Sequence, residues 1–227
     1  MVNRLLGVSV LMGALLASAS TATAAIITLD AIDSGWYDET GSHNPLNRNY
    51  IVGQNRICPG PDCLTFRNWF AFDLAGVGNV TGATLRLYTS NYSSPDATET
   101  YTLFDVGTPV ATLRGGGAGL VGIFNDLGTG ATYGSRNYSA ADDGLVRDIT
   151  LNAAAIAAIN AALGGEFALA GALTSLSGLE QLEFVFGDST GGVGELRQLI
   201  LQVPEPLSIV LLALGFAAAA ARRSRKA

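Results

Sequence analysis

One histidine (His43) and one lysine (Lys226) serve the whole 227-residue chain. A metal site built on paired histidines is thereby excluded, and a serine or cysteine nucleophile would depend on His43 for its base. Charge is scarce: 14% of residues are charged, against roughly 25% in ordinary soluble domains. The net charge is −6. An acidic chain so poor in cations repels phosphate, which argues against nucleic acid as a partner. No repeat of fixed period is present, which excludes solenoids and propellers. No apolar run reaches the roughly 20 residues that span a bilayer comfortably.

What is present is sorted by position. The N-terminal "MVNRLLGVSVLMGALLASASTATAA" has Arg4 as a positive start, an apolar stretch at Leu5–Ala17 and a small-residue cluster after it. Ala22 and Ala24 fit the A-x-A rule, so a signal peptide over 1–24, cut after Ala24, is expected. The alternative is an uncleaved anchor. The segments 1–24 and 207–227 hold five basic residues and no acids, so their removal takes the net charge from −6 to −11. In an exported chain, Cys58 and Cys63 of "CPGPDC" read as a local disulfide. Half of a metal site is the rival, and it lacks a second Cys or His pair.

Residues 25–202 read as an ectodomain of strands and turns. "IITLDAI", "TFRNWFAFDL", "ATLRLYTS", "ETYTLFDV", "LVRDITL", "GEFALAGAL", "LEQLEFVFG" and "ELRQLILQV" are short and rich in strand-forming residues. Gly, Asn, Asp and Pro separate them, which predicts an all-β, antiparallel, jelly-roll-type sandwich. In "ATLRLYTS", Leu85 and Leu87 share one face, and Arg86 and Tyr88 the other. "NAAAIAAINAALGG" departs from this pattern. Asn152 caps it, Ile156, Ile159 and Leu163 follow at helical spacing, and Gly164 ends it, predicting one short Ala-rich helix. The Gly-rich stretch 113–135 reads as an ordered excursion with tight turns. The block "FAFDLAGVGNVTGATLRLY" (70–88) resembles the strand–turn–strand core of secreted DNRLRE-type jelly-roll modules. That resemblance implies a jelly roll and a role near carbohydrate or the cell surface, and no catalytic residues.

Few residues in the ectodomain point to chemistry. "FGDSTGG" (186–192) matches G-x-S-x-G at Ser189. A nucleophile elbow needs a helix after the serine and a histidine nearby, and neither is evident, so a hairpin turn is the better reading. Paired carboxylates suited to glycoside cleavage are not singled out by any motif. No catalytic residue is therefore assigned. A structural Ca²⁺ is an expectation, with Asp30, Asp33, Asp38 and Glu39 near the start and Asp148 on a late strand, although no calcium-loop motif fixes its ligands. Trp36, Tyr37, Tyr50 and Tyr92 are the aromatics available for carbohydrate contact. Each could equally pack on the sandwich rim.

The tail over 203–227 carries the sharpest signal. Val203–Pro206 reads "VPEP"; Leu207–Ala221 is apolar; Arg222, Arg223, Arg225 and Lys226 close it as a basic stop. As a helix the apolar run measures about 22 Å, against a hydrocarbon core of about 30 Å. Its basic end stays cytoplasmic, so the ectodomain faces outward. The three parts, in this order, resemble the PEP-CTERM sorting signal. That resemblance implies recognition by an exosortase, passage through the inner membrane, removal of the tail, and delivery to the cell surface or exopolysaccharide matrix. A plain tail anchor is the alternative. The expectation for the mature chain is a non-catalytic structural or adhesive protein, with a carbohydrate-binding module as the alternative. Exosortase and signal peptidase are its partners in processing, and polysaccharide is a candidate partner afterwards.

Overall fold

The computed structural model describes residues 24–55, 63–177, 181–187, 189–190 and 195–204. Two antiparallel sheets face one another, as the alternating segments predict. The smaller is ordered β1 (Ala25–Asp30), β12 (Arg197–Val203), β5 (Gly82–Tyr88), β9 (Val146–Thr150). The larger runs β6 (Tyr92–Ser93), β11 (Leu182–Val185), β3 (Val52–Asn55), β4 (Thr65–Asp73), β10 (Glu166–Leu173), β7 (Glu99–Phe104), β8 (Thr132–Tyr138). A further strand, β2 (Asp33–Asp38), pairs with β4.

The smaller sheet has one dry face. Leu85, Leu87, Leu199 and Leu201 are fully buried, while Thr84, Arg86 and Gln202 lie on the outside. Burying each leucine stabilises by about 1.5–3 kcal/mol. The larger sheet is covered on both faces, so β4, β7 and β10 do not alternate. On β4, Phe70 and Phe72 enter the core between the sheets, whereas Trp69 and Ala71 enter a second core outside it.

That second core explains the Gly-rich excursion. It contains two short helices that the sequence pattern does not announce, α1 (Val110–Gly115) and α2 (Val121–Asp126). Leu113, Ile123, Phe124 and Leu127 pack down on Tyr37, Trp69, Ala71 and Ala170. The single predicted helix is therefore one of several. It is α3 (Ala153–Ala161), and Asn152 caps it as expected, its Oδ1 accepting from the N–H groups of Ala154 at 3.0 Å and Ala155 at 3.1 Å. Ala155 and Ile159 seal one side of the main core.

Two expectations change here. The segments "FAFDL" and "ATLRLY" do not pair with each other: β4 and β5 lie in opposite sheets, and β5 pairs with β12 and β9. The Cys58–Cys63 disulfide is not supported. Cys58 lies outside the described residues, and no disulfide is formed among them; Cys63 is half-buried just before β4. Among the described residues no helix is long and apolar enough to cross a membrane. Ala22, Glu205, Pro206 and the basic cluster Arg222–Lys226 also lie outside them, as do both apolar runs.

Candidate functional site

The aromatic residues predicted for carbohydrate contact are turned inward. Tyr37 and Tyr50 are fully buried and Tyr92 nearly so. Each hydroxyl donates to a carbonyl: Tyr37 to Leu113 at 2.9 Å, Tyr50 to Tyr88 at 2.8 Å and Tyr92 to Asp96 at 2.6 Å. Burial raises the phenol pKa of all three. Trp36 is half-buried and stands edge-on to Phe66 with ring centroids 5.1 Å apart. A sugar platform needs an open aromatic face; Tyr37, Tyr50 and Tyr92 belong to the packed cores, while Trp36 stays half-exposed. Trp36 and Tyr37 belong to β2, Tyr92 to β6, and Tyr50 to the approach to β3.

The acids proposed for calcium are also separated. Asp33 lies between Arg48 at 3.3 Å and Arg114 at 3.4 Å. Asp38 Oδ1 accepts from Thr40 N, Thr40 Oγ1 and Ser42 N, closing a turn. Asp148 takes a two-pronged contact from Arg86 at 2.7 and 2.8 Å, and that hydrogen bond holds its carboxyl below the usual range. Asp30 accepts from Gln198 at 2.9 Å. These carboxylates are committed to the fold one by one.

A different trio converges. Asp96, Glu99 and Glu183 bring one carboxylate oxygen each to within 4.8 Å of one another. Glu99 opens β7 and Glu183 sits on β11. β6 binds the two regions, because Phe184 pairs with Ser93 and Val185 with Tyr92. Glu99 and Glu183 are both fully buried. Glu99 accepts from Ser94 Oγ at 2.7 Å and from Ser175 Oγ. Glu183 accepts from Gln181 Nε2 at 2.7 Å, from Gln54 Nε2 and from the Ser177 N–H. Every partner is neutral, and among the described residues neither glutamate forms an ion pair. Tyr92 touches the same field: burial first, and then Glu99, Asp96 and Glu183, raise its pKa against an opposing bond to Ser94. A depression of about 650 Å³, lined by Tyr92, Ser94, Asp96 and Gln181, opens beside the trio.

All-oxygen, carboxylate-rich donor sets suit hard cations such as Ca²⁺. Two buried carboxylates without a counter-charge are costly in the interior, and a bound cation would offset that cost. The donor chemistry fits calcium, which here would be held by Asp96, Glu99 and Glu183. Pattern reading missed this trio because its members are up to 87 positions apart and match no loop motif.

Ser189 is buried and bonded into the fold. Its hydroxyl accepts from the Tyr50 N–H at 2.9 Å and donates to Asn49 Oδ1 at 3.0 Å. His43 is 4% exposed and ringed by Tyr37, Trp69 and Trp36, at centroid distances of 4.8, 6.0 and 6.3 Å. Among the described residues its Nδ1 has no hydrogen-bond partner. Burial lowers its pKa, against weaker opposing effects from the Trp36 backbone and Asp33.

The sorting segment joins the fold at its last strand. Val203 ends β12 and pairs with Ala25, the first residue of β1; Pro204 is exposed just beyond, and Ala24 is exposed just before. Residues 202–226 match the family model for the PEP-CTERM protein-sorting motif. The chain thus carries the signal of an exported protein that is sorted by an exosortase to a surface or membrane-associated location. No curated protein matches the chain.

Proposed function

We propose that the mature chain is a non-catalytic structural or adhesive protein of the cell surface or exopolysaccharide matrix. Its signal peptide is removed after Ala24, and its tail beyond the Val203–Pro206 motif is removed by the exosortase. The observation that carries this reading is the join between fold and signal: β12 delivers an exposed Pro204 directly from a packed strand. The hydrogen bonds of Ser189 to Tyr50 and Asn49, and the enclosure of His43 by Tyr37, Trp69 and Trp36, support a structural rather than a catalytic role for both. A Ca²⁺ at Asp96, Glu99 and Glu183 would act as a structural ion, tying β7, β11 and the turn after β6 together.

Carbohydrate binding through Trp36, Tyr37, Tyr50 and Tyr92 is the second reading, and only Trp36 keeps part of its surface open for it, since the three tyrosines are buried. Intact-mass measurement of the protein released from the cell surface tests the sorting step. The expected mass lacks Arg222–Lys226, and a mass that includes them refutes processing. Fractionation of the surface polymer tests the matrix role. The protein should co-purify with exopolysaccharide, and free recovery in the medium sinks that assignment.

A further inference from the structure

β1 is the last strand on its side of the smaller sheet and pairs only with β12. The Ala31 N–H donates to the Arg197 carbonyl at 2.7 Å, and from there the register runs without a break to Ala25 and Val203. Bonded and non-bonded pairs alternate along an antiparallel ladder. Ala25, Ile27 and Leu29 therefore turn their backbone groups to β12, and Ile26, Thr28 and Asp30 turn theirs outward. Among the described residues no strand meets that side. Open edges are normally blunted by charge, proline, a bulge or a covering segment. β9, at the opposite end of the sheet, carries Arg147 and Asp148, and the chain just past it is tied to β8, the Asn152 N–H donating to the Tyr133 carbonyl at 2.8 Å. β1 has no Lys, Arg or Pro, no break in register, and a single charge at its end, Asp30. Ile26 is 59% exposed on it.

This edge complements itself. Turned about a two-fold axis through Thr28, a second β1 sets Thr28 opposite Thr28 and Ile26 opposite Asp30. Every outward N–H and C=O of the three residues then has a partner in both copies. Like charges never face each other, and Thr–Thr is a favourable cross-strand pair. On the inner face the half-buried Ile27 of each copy meets the half-buried Leu29 of the other across the seam. A shift by one residue sets outward groups against inward ones and turns the apolar pair to the wrong face.

We propose that β1 is the docking edge for β1 of a second copy of this chain, which joins two smaller sheets into one continuous antiparallel sheet. Val203 leaves β12 at the Ala25 end, so the two chains run out of the joined sheet in opposite directions. Such a dimer links copies held on facing supports. The pairing stands on the strand register alone, whereas its value for adhesion rests on the function proposed above.

The test is sedimentation velocity over a concentration series, on the full chain expressed in a host that carries an exosortase and recovered separately from the cell surface and the cell interior. Wild type should pass from monomer to dimer. Thr28→Lys sets two ammonium groups opposite each other and should weaken association about tenfold or more. Ile26→Lys sets its ammonium opposite Asp30 of the second copy, so association should survive at low salt. Thr28→Cys should be linked to its counterpart by a short bis-maleimide, the Cα atoms of such a pair being about 5.5 Å apart. Thr150→Cys on β9 should link no more than wild type does through its own cysteines. Ile26, Thr28 and Thr150 are all exposed, and protease resistance checks that each variant folds. A wild-type chain that stays monomeric overturns the proposal, as does a dimer that Thr28→Lys leaves intact or Ile26→Lys abolishes. A dimer formed by chains that never reach the surface upholds the pairing and removes the surface role.

Discussion

Glu99 and Glu183 sit fully buried on β7 and β11 with carboxylate oxygens within 4.8 Å of each other and of Asp96, and among the described residues the groups that donate to the two glutamates are neutral. Two negative charges in that setting call for a compensating charge. Millimolar Ca²⁺ is expected to raise the thermal midpoint, by mass action worth about 2.7 kcal/mol at a hundred times the dissociation constant. Glu99→Gln/Glu183→Gln should abolish the calcium response while leaving the fold intact. A wild-type midpoint indifferent to Ca²⁺ and to chelator would exclude a calcium role for the trio.

His43 makes stability depend on pH in a defined direction. Its folded pKa lies below the ordinary 6.5, first because burial disfavours the imidazolium. Below pH 6.5 the unfolded chain then binds more protons than the folded one, so stability falls as pH drops from about 7.5 toward the folded value. Asp142 and Asp148, held below 3.8, act only in more acid solution. As the chain has no second histidine, His43→Gln should flatten the slope between about pH 7 and 5 in urea titrations. An unchanged slope would assign it elsewhere.

A buried polar relay crosses the larger sheet. Tyr101 donates to Asn68 Oδ1 at 2.7 Å, and Asn68 Nδ2 donates to the Tyr50 carbonyl at 2.6 Å. Tyr101→Phe leaves the amide oxygen without its donor and should cost about 1–3 kcal/mol. Gly171→Ala should be comparably harmful, since its Cβ would fall 2.0 Å from the Tyr101 hydroxyl. Urea midpoints at constant slope report both.

The cap on α3 gives a smaller, cleaner effect. Asn152→Ala removes acceptance from two N–H groups and a donation to the Thr132 carbonyl at 2.6 Å. A loss of about 1 kcal/mol is expected, and Asn152→Asp should recover part of it. Equal stability of the alanine variant would mean that packing of Ala155 and Ile159 alone sets the helix.

The smaller sheet was legible because one of its faces is wet: Leu85 and Leu87 alternate with Arg86 and Tyr88 as a half-buried strand must. The larger sheet hid part of itself for the opposite reason. Trp69 and Ala71 are as dry as Phe70 and Phe72, so the period of two disappears. β2, "DSGWYD", looks like a loop because its polar members are satisfied by turn N–H groups and arginines rather than by water. The helices α1 and α2 are too short to establish a period and owe their existence to the face of the sheet beneath them. The tail needed no fold to be read, since its three parts are contiguous. The carboxylate trio needed the strand register, which no local pattern encodes.

The Ala25–Val203 pair has a mechanical side. A protein held by its C-terminus carries load through β12, which lies between β1 and β5 with six register pairs on each flank. Tension drawn along that strand shears both ladders at once instead of peeling one hydrogen bond at a time. Force spectroscopy with attachments at Val203 and Tyr88, on opposite ends of the sheet, should therefore show rupture at higher force than attachments at Val203 and Gly82, which unzip it. Placing the sorting signal at the end of an interior strand gives the sandwich the geometry of a lap joint, strongest against tension applied along that strand.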